Sequence, residues 1–293
     1  MKSAEQILNE AYEKYKPSTV IALTSGGHDS MVATRFTTVW QNNKDCNYQV
    51  ITLDTGLSSD GWRAWLTKVI FELGYNPYFG MWDNPDVGFD WYAENALKYG
   101  FGYTEYFHTN FYYRMLKERT IKKILKSYKK HRHDHIMFVS GVYREESIKR
   151  ANVPEYQKIG SAIWVNPLCH WTKEDIDSYR IAYGLPNNPF YETTGGSGDC
   201  NCNWGQFTTL PEFYKHSPIL GTMIGRLDKD VRKIHGFGWG ERPSKSLIAE
   251  NNGQLVLPGI EPLTTPNLCN GCSRSKPKLS NQLDDYMTDK IDW

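Results

Sequence analysis

The sequence predicts an α/β protein built on a doubly wound, mostly parallel sheet. Short apolar, β-branched runs alternate along the chain with longer segments whose apolar residues recur at helical spacing. Such alternation is typical of a parallel sheet with helices on both faces, because a crossover between parallel strands needs the length of a helix. A glycine-rich turn also joins the first strand to the next helix, at the place where open α/β sheets bind ligands.

The first quarter of the chain alternates helix and strand. A helix is predicted over 3–16, and the apolar, β-branched run STVIALT (18–24) is too short for a helix and predicts a strand. A second helix over 28–42 leads to a second strand over 48–56. The segment 59–74 has helical periodicity, opens with a capping Ser or Asp and stops at a glycine.

The same alternation continues through the middle of the chain. A third strand is predicted at 76–82 and is followed by two helices, around 86–99 and 110–130. The apolar run HIMFVSG predicts a fourth strand at 135–141, and a short fifth strand follows at 162–168. These five strands and their helices make up the predicted sheet domain.

The character of the sequence changes after a last regular helix, predicted over 172–184 with Thr172 as its N-cap. Beyond it Gly, Pro, Asn and Thr dominate, and periodicity is lost until a short helix near 280–290. We therefore predict a sheet domain over 1–188 and a loop-rich region over 189–293 that needs a metal or similar staple.

Composition excludes several functional classes. The 293 residues are 40% hydrophobic, enough to bury a large core, and the net charge of +1 gives no global preference for nucleic acid. The N-terminus is charged and helical in pattern, unlike a signal peptide, and no apolar run approaches membrane-spanning length. We expect a soluble, cytoplasmic protein without a membrane partner.

The turn SGGHDS (Ser25–Ser30) has the composition of a phosphate-binding loop. Gly26 and Gly27 let the backbone approach an anion closely, while the new helix offers N–H groups and its positive dipole end. Ser25 and Ser30 add hydroxyl donors. The spacing matches neither of the common glycine-rich nucleotide motifs, since no lysine closes the loop. The alternative is a tight strand-to-helix turn that simply needs glycine.

This loop resembles the S-G-G-x-D-S motif of the N-type ATP pyrophosphatases, the PP-loop family, which have the adenine nucleotide alpha hydrolase fold. The resemblance implies that the loop holds the pyrophosphate part of ATP through Ser25, Gly26, Gly27, Asp29 and Ser30. It also implies catalytic roles for Asp29 and Ser30, with Asp29 ordering the loop or contacting Mg²⁺. His28 stands where relatives often have lysine, so phosphate binding is weakened unless His28 is protonated.

Three further segments resemble the phosphoadenosine phosphosulfate (PAPS) reductase branch of that family. TLDTG (52–56) resembles its F-L-D-T-G strand end, and GVYREESIKR (141–150) resembles its G-x-R-R-E-E-S-x-x-R, with Tyr143 in place of the first Arg. The segment 164–191 resembles N-P-L-x-x-W-T-x-x-D and the L-P-x-N-P-x-Y that follows it. The resemblance implies that the nucleotide also contacts Asp54, Thr55, Gly56 and Gly141.

Arg144 and Arg150 follow the fourth strand and can pair with phosphate oxygens in two-point fashion. We count both with the nucleotide site and favour Arg144 as the catalytic one. The alternative is a charged helix start, with Glu145 and Glu146 at a positive helix end and Arg150 pairing along the helix.

Six cysteines indicate metal or redox chemistry, since a cytosolic chain of this size seldom uses disulfides. Cys46 and Cys169 are isolated and are interpreted as buried thiols. The remaining four form the pairs Cys200-x-Cys202 and Cys269-x-x-Cys272, a tetrahedral ligand set. We favour a [4Fe–4S] cluster, with zinc or no metal as alternatives.

The cysteine pattern also narrows the activity that the resemblance implies. PAPS reductases carry a catalytic cysteine near the C-terminus, whereas no cysteine follows Cys272, and the adjacent pair of adenylyl-sulfate reductases is absent. The stretch SGDCNC (197–202) resembles S-G-E-C-x-C of the ATP pyrophosphatases of DNA phosphorothioation, the DndC and SspD type. That resemblance implies cleavage of ATP to AMP and pyrophosphate, and adenylation of the DNA backbone. Its implied partners are a cysteine desulfurase as sulfur donor and other DNA-modification proteins.

Other activities stay open from the sequence. They are PAPS or adenylyl-sulfate reduction with a relocated thiol, tRNA thiolation, and non-catalytic binding of a nucleotide or nucleic acid. The basic run TIKKILKSYKKHRHDH (120–135) includes the end of the helix predicted around 110–130, which has an apolar stripe and a basic side. That side is either a solvated face or a surface for a phosphate backbone. The alternating histidines of this run are interpreted as surface residues.

Overall fold

A computed structural model describes residues 2–83, 88–101, 108–202 and 209–241. Within them the strands form a six-stranded sheet of order β3-β2-β1-β4-β6-β5. The strands are Thr19–Leu23 (β1), Asn47–Asp54 (β2), Phe79–Asp83 (β3), Ile136–Val139 (β4), Tyr156–Ile159 (β5) and Ala162–Val165 (β6). All neighbours are parallel except β5 and β6. The predicted mostly parallel sheet and its five predicted strands are confirmed.

Helices connect and flank these strands. They are Ala4–Tyr15 (α1), His28–Trp40 (α2), Trp62–Glu72 (α3), Phe89–Tyr99 (α4), Arg119–Tyr128 (α5), Lys173–Ala182 (α6), Phe190–Thr194 (α7), Leu210–His216 (α8) and Pro218–His235 (α9). A π-helix, His108–Glu118, runs directly into α5, and two short 3₁₀ turns, Arg144–Glu146 and Ile148–Arg150, follow β4. The six helices predicted before residue 188 are confirmed, the one at 110–130 as a π-helix followed by an α-helix.

Helices cover both faces of the sheet, as the doubly wound prediction requires. Side chains of β1 alternate between two hydrophobic clusters, with Val20 and Ala22 on one face and Ile21 on the other. On the first face, three helices each add a buried apolar side chain, namely Ile7, Met31 and Leu66. On the second face Ile124 of α5 packs against Ile21 and its neighbours. Because β1, β2, β3, β4 and β6 are parallel, their carboxyl ends lie together at one edge of the sheet.

Strand β5 was not predicted from the sequence. It pairs antiparallel with β6 at the edge of the sheet, where Ile159 and Ala162 face each other across a tight turn. Gly160 takes a φ of +60° in that turn. Because no residue of β5 is fully buried, it lacks the apolar run that marks the other strands.

The prediction of a loop-rich region after residue 188 is wrong for the described part of that region. Helices α8 and α9 lie there, and α9 is 18 residues long. Its inward face repeats apolar residues at spacings of three and four, namely Leu220, Ile224, Leu227 and Val231. The glycines and the starting proline masked this helical period. The short helix predicted near 280–290 lies outside the described residues.

Helix α9 shares a core with elements that precede residue 188. Ile224 and Val231 belong to one hydrophobic cluster with Tyr92 and Ala96 of α4. The predicted boundary therefore falls inside a common core, and the division into 1–188 and 189–293 stays a prediction. None of the helices in the described ranges is long and apolar enough to cross a bilayer.

Candidate functional site

The turn between β1 and α2 has a conformation that depends on glycine. Gly26 has a φ of +80°, in the left-handed region that other residues rarely adopt. A β-carbon added there would lie 2.7 Å from the ring of Trp65. Gly27 is the N-cap of α2, so the turn ends at the positive end of that helix. Both glycines therefore lie where the sequence placed them, at the carboxyl end of a central strand.

The two serines of this turn point into the same small space. Their hydroxyl oxygens lie 3.3 Å apart, and the Ser25 N–H donates to Ser30 Oγ at 3.2 Å. The Ser30 hydroxyl donates to the Gly27 carbonyl at 2.9 Å, and the Gly27 N–H donates to Ser25 Oγ at 3.3 Å. The turn is thus closed by its own hydroxyls, with several of these bonds near the long limit for a hydrogen bond.

Gly141 packs directly on the start of α2. A β-carbon at this position would lie 2.5 to 2.6 Å from the backbone carbon and oxygen of Asp29 and from the backbone nitrogen of Ser30. Backbone atoms cannot swing aside as a side chain can, so only glycine fits without displacing the turn. This steric role is shown, whereas contact with a nucleotide stays a prediction for Gly141.

The carboxyl group of Asp29 lies beneath the turn. A β-carbon built on Gly27 would lie 3.0 Å from Asp29 Oδ1 and 3.2 Å from the Tyr191 hydroxyl, so these two polar atoms flank one point. Burial raises the pKa of Asp29, while the positive charge of Arg150 and nearby backbone N–H groups oppose that rise. An acid in this setting gains from any additional cation placed beside it.

The two arginines after β4 have different surroundings. The Arg144 guanidinium donates to the Val153 carbonyl at 3.0 Å and lies 3.2 Å from the His170 ring. Arg150 pairs with Glu146, as the helix-start alternative proposed, and its charge reaches Asp29. The sequence favours Arg144, whereas in the structure it is the charge of Arg150 that acts on Asp29 of the turn. Phosphate contact by either arginine stays a prediction.

His28 is a neutral packing residue. Its ring stacks on Tyr191 with centroids 4.3 Å apart, and its Nε2 lies 2.9 Å from Asn187 Oδ1. Burial lowers the pKa of His28, and the charge of Arg180 lowers it further. The condition that a protonated His28 replaces the lysine of relatives is therefore not met at neutral pH.

Asn188 ties the turn to the cysteine segment, a role that the sequence did not indicate. Its side-chain amide donates to the carbonyls of Gly26 at 2.9 Å and Ser197 at 3.0 Å. Its Oδ1 accepts from the Phe190 N–H at 2.8 Å. Asn188 is completely buried, and its bond to Phe190 is local whereas its bond to Gly26 joins segments 162 residues apart.

The TLDTG stretch ends β2 at the same edge of the sheet. Asp54 Oδ1 accepts from the Gly56 N–H at 2.9 Å, and Asp54 Oδ2 lies 2.5 Å from the Arg63 guanidinium. Gly56 has a φ of +69°, and a β-carbon there would lie 2.9 Å from the Gly88 backbone. Because β1 and β2 are parallel neighbours, the two predicted nucleotide segments share one edge. Nucleotide contact by Asp54, Thr55 and Gly56 stays a prediction.

The first cysteine pair is held against this same edge. Asn201 donates twice to the Leu57 carbonyl, through its backbone N–H at 2.8 Å and its side chain at 2.9 Å. The Thr55 hydroxyl donates to the Asp199 carbonyl at 3.2 Å. Residues 197–202 are therefore fixed on the turn after β2, beside the predicted adenine pocket.

Within that segment, Cys200 and Cys202 form a close thiol pair. Their sulfur atoms lie 3.2 Å apart. The hydrogen bond shared with Cys202 lowers the pKa of Cys200 to about 7, burial opposes this, and the nearby Lys117 ammonium assists it. Lys117 is held there by Asp199, whose Oδ2 lies 2.6 Å from Nζ.

Two thiols this close can bind one metal ion, which fits half of the predicted tetrahedral set. Cys269 and Cys272 lie outside the described residues. Among the residues that the structure describes, no group of three or more His, Cys, Asp or Glu side chains could hold a metal. The four-cysteine site with a [4Fe–4S] cluster or zinc therefore stays a prediction, as does Mg²⁺ at Asp29.

Comparison with known families shows which family the chain belongs to. The model of the phosphoadenosine phosphosulfate reductase domain matches residues 19–213, more than half of the 293-residue chain. The chain belongs to this family. The matched span of the PAPS reductase domain includes the turn at Ser25–Ser30, Gly141, Asn188 and the Cys200–Cys202 pair.

Individual relatives match this PAPS reductase-domain chain over shorter stretches. The adenosine 5′-phosphosulfate reductase of Deinococcus radiodurans is 40% identical over 48 residues, which is 16% of this chain and 19% of that protein. That of Mesorhizobium japonicum is 38% identical over 50 residues, 17% and 20% of the two chains. The matches thus span about a fifth of these curated relatives.

Solved structures show a more distant likeness. The phosphoadenylyl-sulfate reductase of Candida auris, in a phosphate complex, is 17% identical with a TM-score of 0.46, covering 65% of this chain and 84% of that one. The U34-tRNA thiolase NcsA of Methanococcus maripaludis, with its [4Fe–4S] cluster, is 12% identical with a TM-score of 0.44. That likeness covers 80% of this chain and 76% of the thiolase.

Proposed function

We propose that this PAPS reductase-domain protein is an ATP pyrophosphatase that adenylates an acceptor, the DNA backbone, before sulfur insertion. One observation carries the proposal: Ser25 and Ser30 turn their hydroxyls into one space at the positive end of α2, against a backbone that Gly141 packs closely. Hydroxyls, backbone N–H groups and a helix N-terminus are the donors that a phosphate needs.

The turn can exchange its own bonds for bonds to phosphate. The N–H groups of Ser25, Gly26 and Gly27 donate to loop hydroxyls at 3.2 to 3.3 Å. Charge-assisted bonds to phosphate oxygens are shorter and stronger, so the exchange is favourable. Because His28 is neutral, the positive charge must come from Arg150, the helix dipole and a cation. Asp29, whose buried carboxylate is poorly compensated, fits Mg²⁺.

The reaction follows from where the phosphates would lie. With adenine near Asp54, Thr55 and Gly56, the α-phosphate lies between that pocket and the turn. An acceptor oxygen forms a bond to the α-phosphorus while the bond from that phosphorus to the bridging oxygen breaks, and pyrophosphate leaves with the electron pair. The turn stabilises the charge that develops on the leaving group. The outer sulfur of a cysteine desulfurase persulfide then bonds to the adenylated centre as AMP leaves with the electron pair of the bond that breaks. A thiol reductant cleaves the resulting disulfide, which leaves sulfur on the acceptor and returns the desulfurase cysteine as a thiol.

The cysteine pair supports sulfur insertion as the purpose of this activation. Cys200 and Cys202 lie at the edge that holds the predicted adenine pocket. A [4Fe–4S] cluster or zinc ion bound by these cysteines with Cys269 and Cys272 would supply a sulfur-binding centre next to the activated oxygen. The proposed partners are the desulfurase and other DNA-modification proteins.

The test identifies the products that are formed from ATP. Purified protein with Mg²⁺, labelled ATP and duplex DNA should yield AMP and pyrophosphate, and the yield should fall at least about tenfold in Ser25→Ala, since one hydrogen bond to a charged group is lost. Ser178→Ala, an exposed serine on α6, is the matched control. Production of ADP and orthophosphate would contradict the proposal, and transfer RNA supplied in place of DNA tests the other acceptor.

Adenylyl-sulfate reduction is a second candidate, because the curated relatives matched above are adenosine 5′-phosphosulfate reductases. It predicts sulfite release from adenylyl sulfate or PAPS with thioredoxin as reductant. Sulfite without AMP formation from ATP would favour this candidate over the first.

A further inference from the structure

The outer side of α5 is strongly basic. Residues 119–132 contain seven Lys or Arg residues and neither Asp nor Glu. The inner side of the same helix is apolar: Ile124 is fully buried, and Ile121, Leu125 and Tyr128 pack with it on the sheet. The packing therefore fixes which way the helix faces and turns its cations outward.

Five of these cations form what we term the basic face. All five are exposed, and they are Arg119, Lys122, Lys126, Lys130 and Arg132. The other two of the seven are excluded because each has an interaction partner: the Lys129 ammonium donates to Ser161 Oγ at 2.6 Å, and Lys123 also has a partner.

The basic face concentrates its unpaired charge on one short segment. Elsewhere some exposed lysines pair with a carboxylate one helical turn away, as Lys68, Lys173 and Lys233 do. Other exposed lysines without such a pair lie apart on different elements: Lys14 on α1, Lys158 on β5 and Lys215 on α8. Among the described residues, none of the five cations of the basic face has a carboxylate within salt-bridge distance. In a chain of net charge +1, such a concentration of unpaired charge is local and favours a polyanion as partner.

The basic face leads to the candidate site. Lys117 lies two residues before α5 and pairs with Asp199 in the cysteine segment, so the first turn of α5 is at the site edge. The helix then runs toward Ile136, the first residue of β4, at the opposite edge of the sheet. Lys122 and Lys126 are one turn apart, about 6 Å along the axis, a spacing at which each meets a different phosphate of one strand.

We propose that the basic face binds the sugar–phosphate backbone of duplex DNA and directs it toward the edge that carries the turn and the cysteine pair. The choice of DNA rests on the proposed function. The binding itself does not depend on ATP cleavage, because the basic face and the turn share no residue.

The test measures DNA affinity without ATP as a function of salt. A short labelled duplex is titrated with the full chain by fluorescence anisotropy, and the triple variant Lys122→Gln, Lys126→Gln, Lys130→Gln is compared with it. Glutamine keeps helix propensity close to that of lysine. The variant should bind at least about tenfold more weakly, and the slope of log affinity against log salt should fall by about 2 to 3 units.

A matched control removes the same charge elsewhere. Lys68→Gln, Lys173→Gln, Lys233→Gln lowers the net charge equally but leaves the basic face intact, so its affinity and salt slope should equal those of the unmodified chain. Equal weakening by both triple variants would overturn the proposal, as would an unmodified chain that binds RNA of the same sequence more tightly than DNA. ATP cleavage measured without DNA reports separately on the proposed function.

Discussion

Lys117 Nζ lies 2.6 Å from Asp199 Oδ2, joining the π-helix to the cysteine segment across 82 residues of sequence. The pair is mostly buried. Burial alone would lower the pKa of Lys117, but the negative charge of Asp199 outweighs that effect, so the pKa is raised. Lys117 therefore stays protonated and places a positive charge beside two thiols that either bind a metal or react as thiolates.

Removing the lysine should destabilise the fold. Lys117→Met removes the cation that pairs with Asp199, while the Ser197 hydroxyl still donates to the Asp199 carboxylate. We expect a loss of about 2 to 3 kcal/mol in the free energy of unfolding, less than for a fully buried pair because Lys117 is partly exposed. Lys173→Met breaks the exposed pair with Asp177 and should change stability by less than about 0.5 kcal/mol. Urea unfolding of both variants measures the difference, and equal losses would contradict the structural role of the buried pair.

Cys200 should react as a thiolate near neutral pH. The hydrogen bond with Cys202 lowers its pKa to about 7, whereas burial raises the pKa of Cys46 above its usual 9.0. In metal-free protein, iodoacetamide should therefore label Cys200 with a midpoint near pH 7 and Cys46 only at higher pH. Cys202→Ala removes the hydrogen bond and should move the Cys200 midpoint upward. A Cys200 midpoint that stays the same in Cys202→Ala would refute this assignment of the cause.

Gly141 should tolerate no side chain. A β-carbon at Gly141 would lie within 2.6 Å of the Asp29 and Ser30 backbone, so Gly141→Ala should cost about 1 to 3 kcal/mol and displace the turn. Gly225, inside α9, has only an ordinary contact with Leu210 at 3.6 Å. Gly225→Ala should therefore be neutral or stabilise the protein by up to about 1 kcal/mol. Thermal unfolding distinguishes the two, and the same sign for both would contradict the close packing at Gly141.

His28 should make the protein less stable in acid. Its folded-state pKa is lowered by burial, so between that value and 6.5 the unfolded chain binds more protons than the folded one. The stability that depends on neutral His28 is complete above 6.5 and is lost as the pH falls through the folded-state pKa. His28→Gln lacks this titration and should lose less stability than the unmodified chain between roughly pH 7 and pH 5. If the free energy of unfolding changed with pH in the same way for both proteins, the titration of His28 would be excluded as a cause of acid instability.

Sequence patterns predicted the features that depend on neighbouring residues along the chain. The strands buried on both faces were visible as apolar runs, and the turn at Ser25–Ser30 was visible from its glycines and serines. Asn188 and Lys117 were not, because their roles depend on partners 162 and 82 residues away. Helix α9 was not predicted although its apolar period is present, because Pro218, Gly221 and Gly225 are residue types that ordinarily interrupt a helix. Local composition therefore predicted that the site lies at the carboxyl ends of the strands. It did not predict the long-range contacts of Asn188 and Lys117 that hold the site together.

The two arginines after β4 are predicted to have different roles, Arg150 in phosphate binding and Arg144 in stabilising the fold. Arg150, whose field reaches Asp29, is expected to contact phosphate, so Arg150→Gln should lower kcat/KM for ATP by about 10- to 100-fold, the loss of one charge-assisted bond. Arg144 holds the Val153 carbonyl and lies against His170, so Arg144→Gln should lower stability by about 1 to 2 kcal/mol and leave kcat/KM within about twofold. Pyrophosphate release and urea unfolding are measured on both variants. The reverse pattern, with stability lost at Arg150 and kcat/KM lost at Arg144, would restore Arg144 as the phosphate ligand, and Arg150 would then only pair with Glu146.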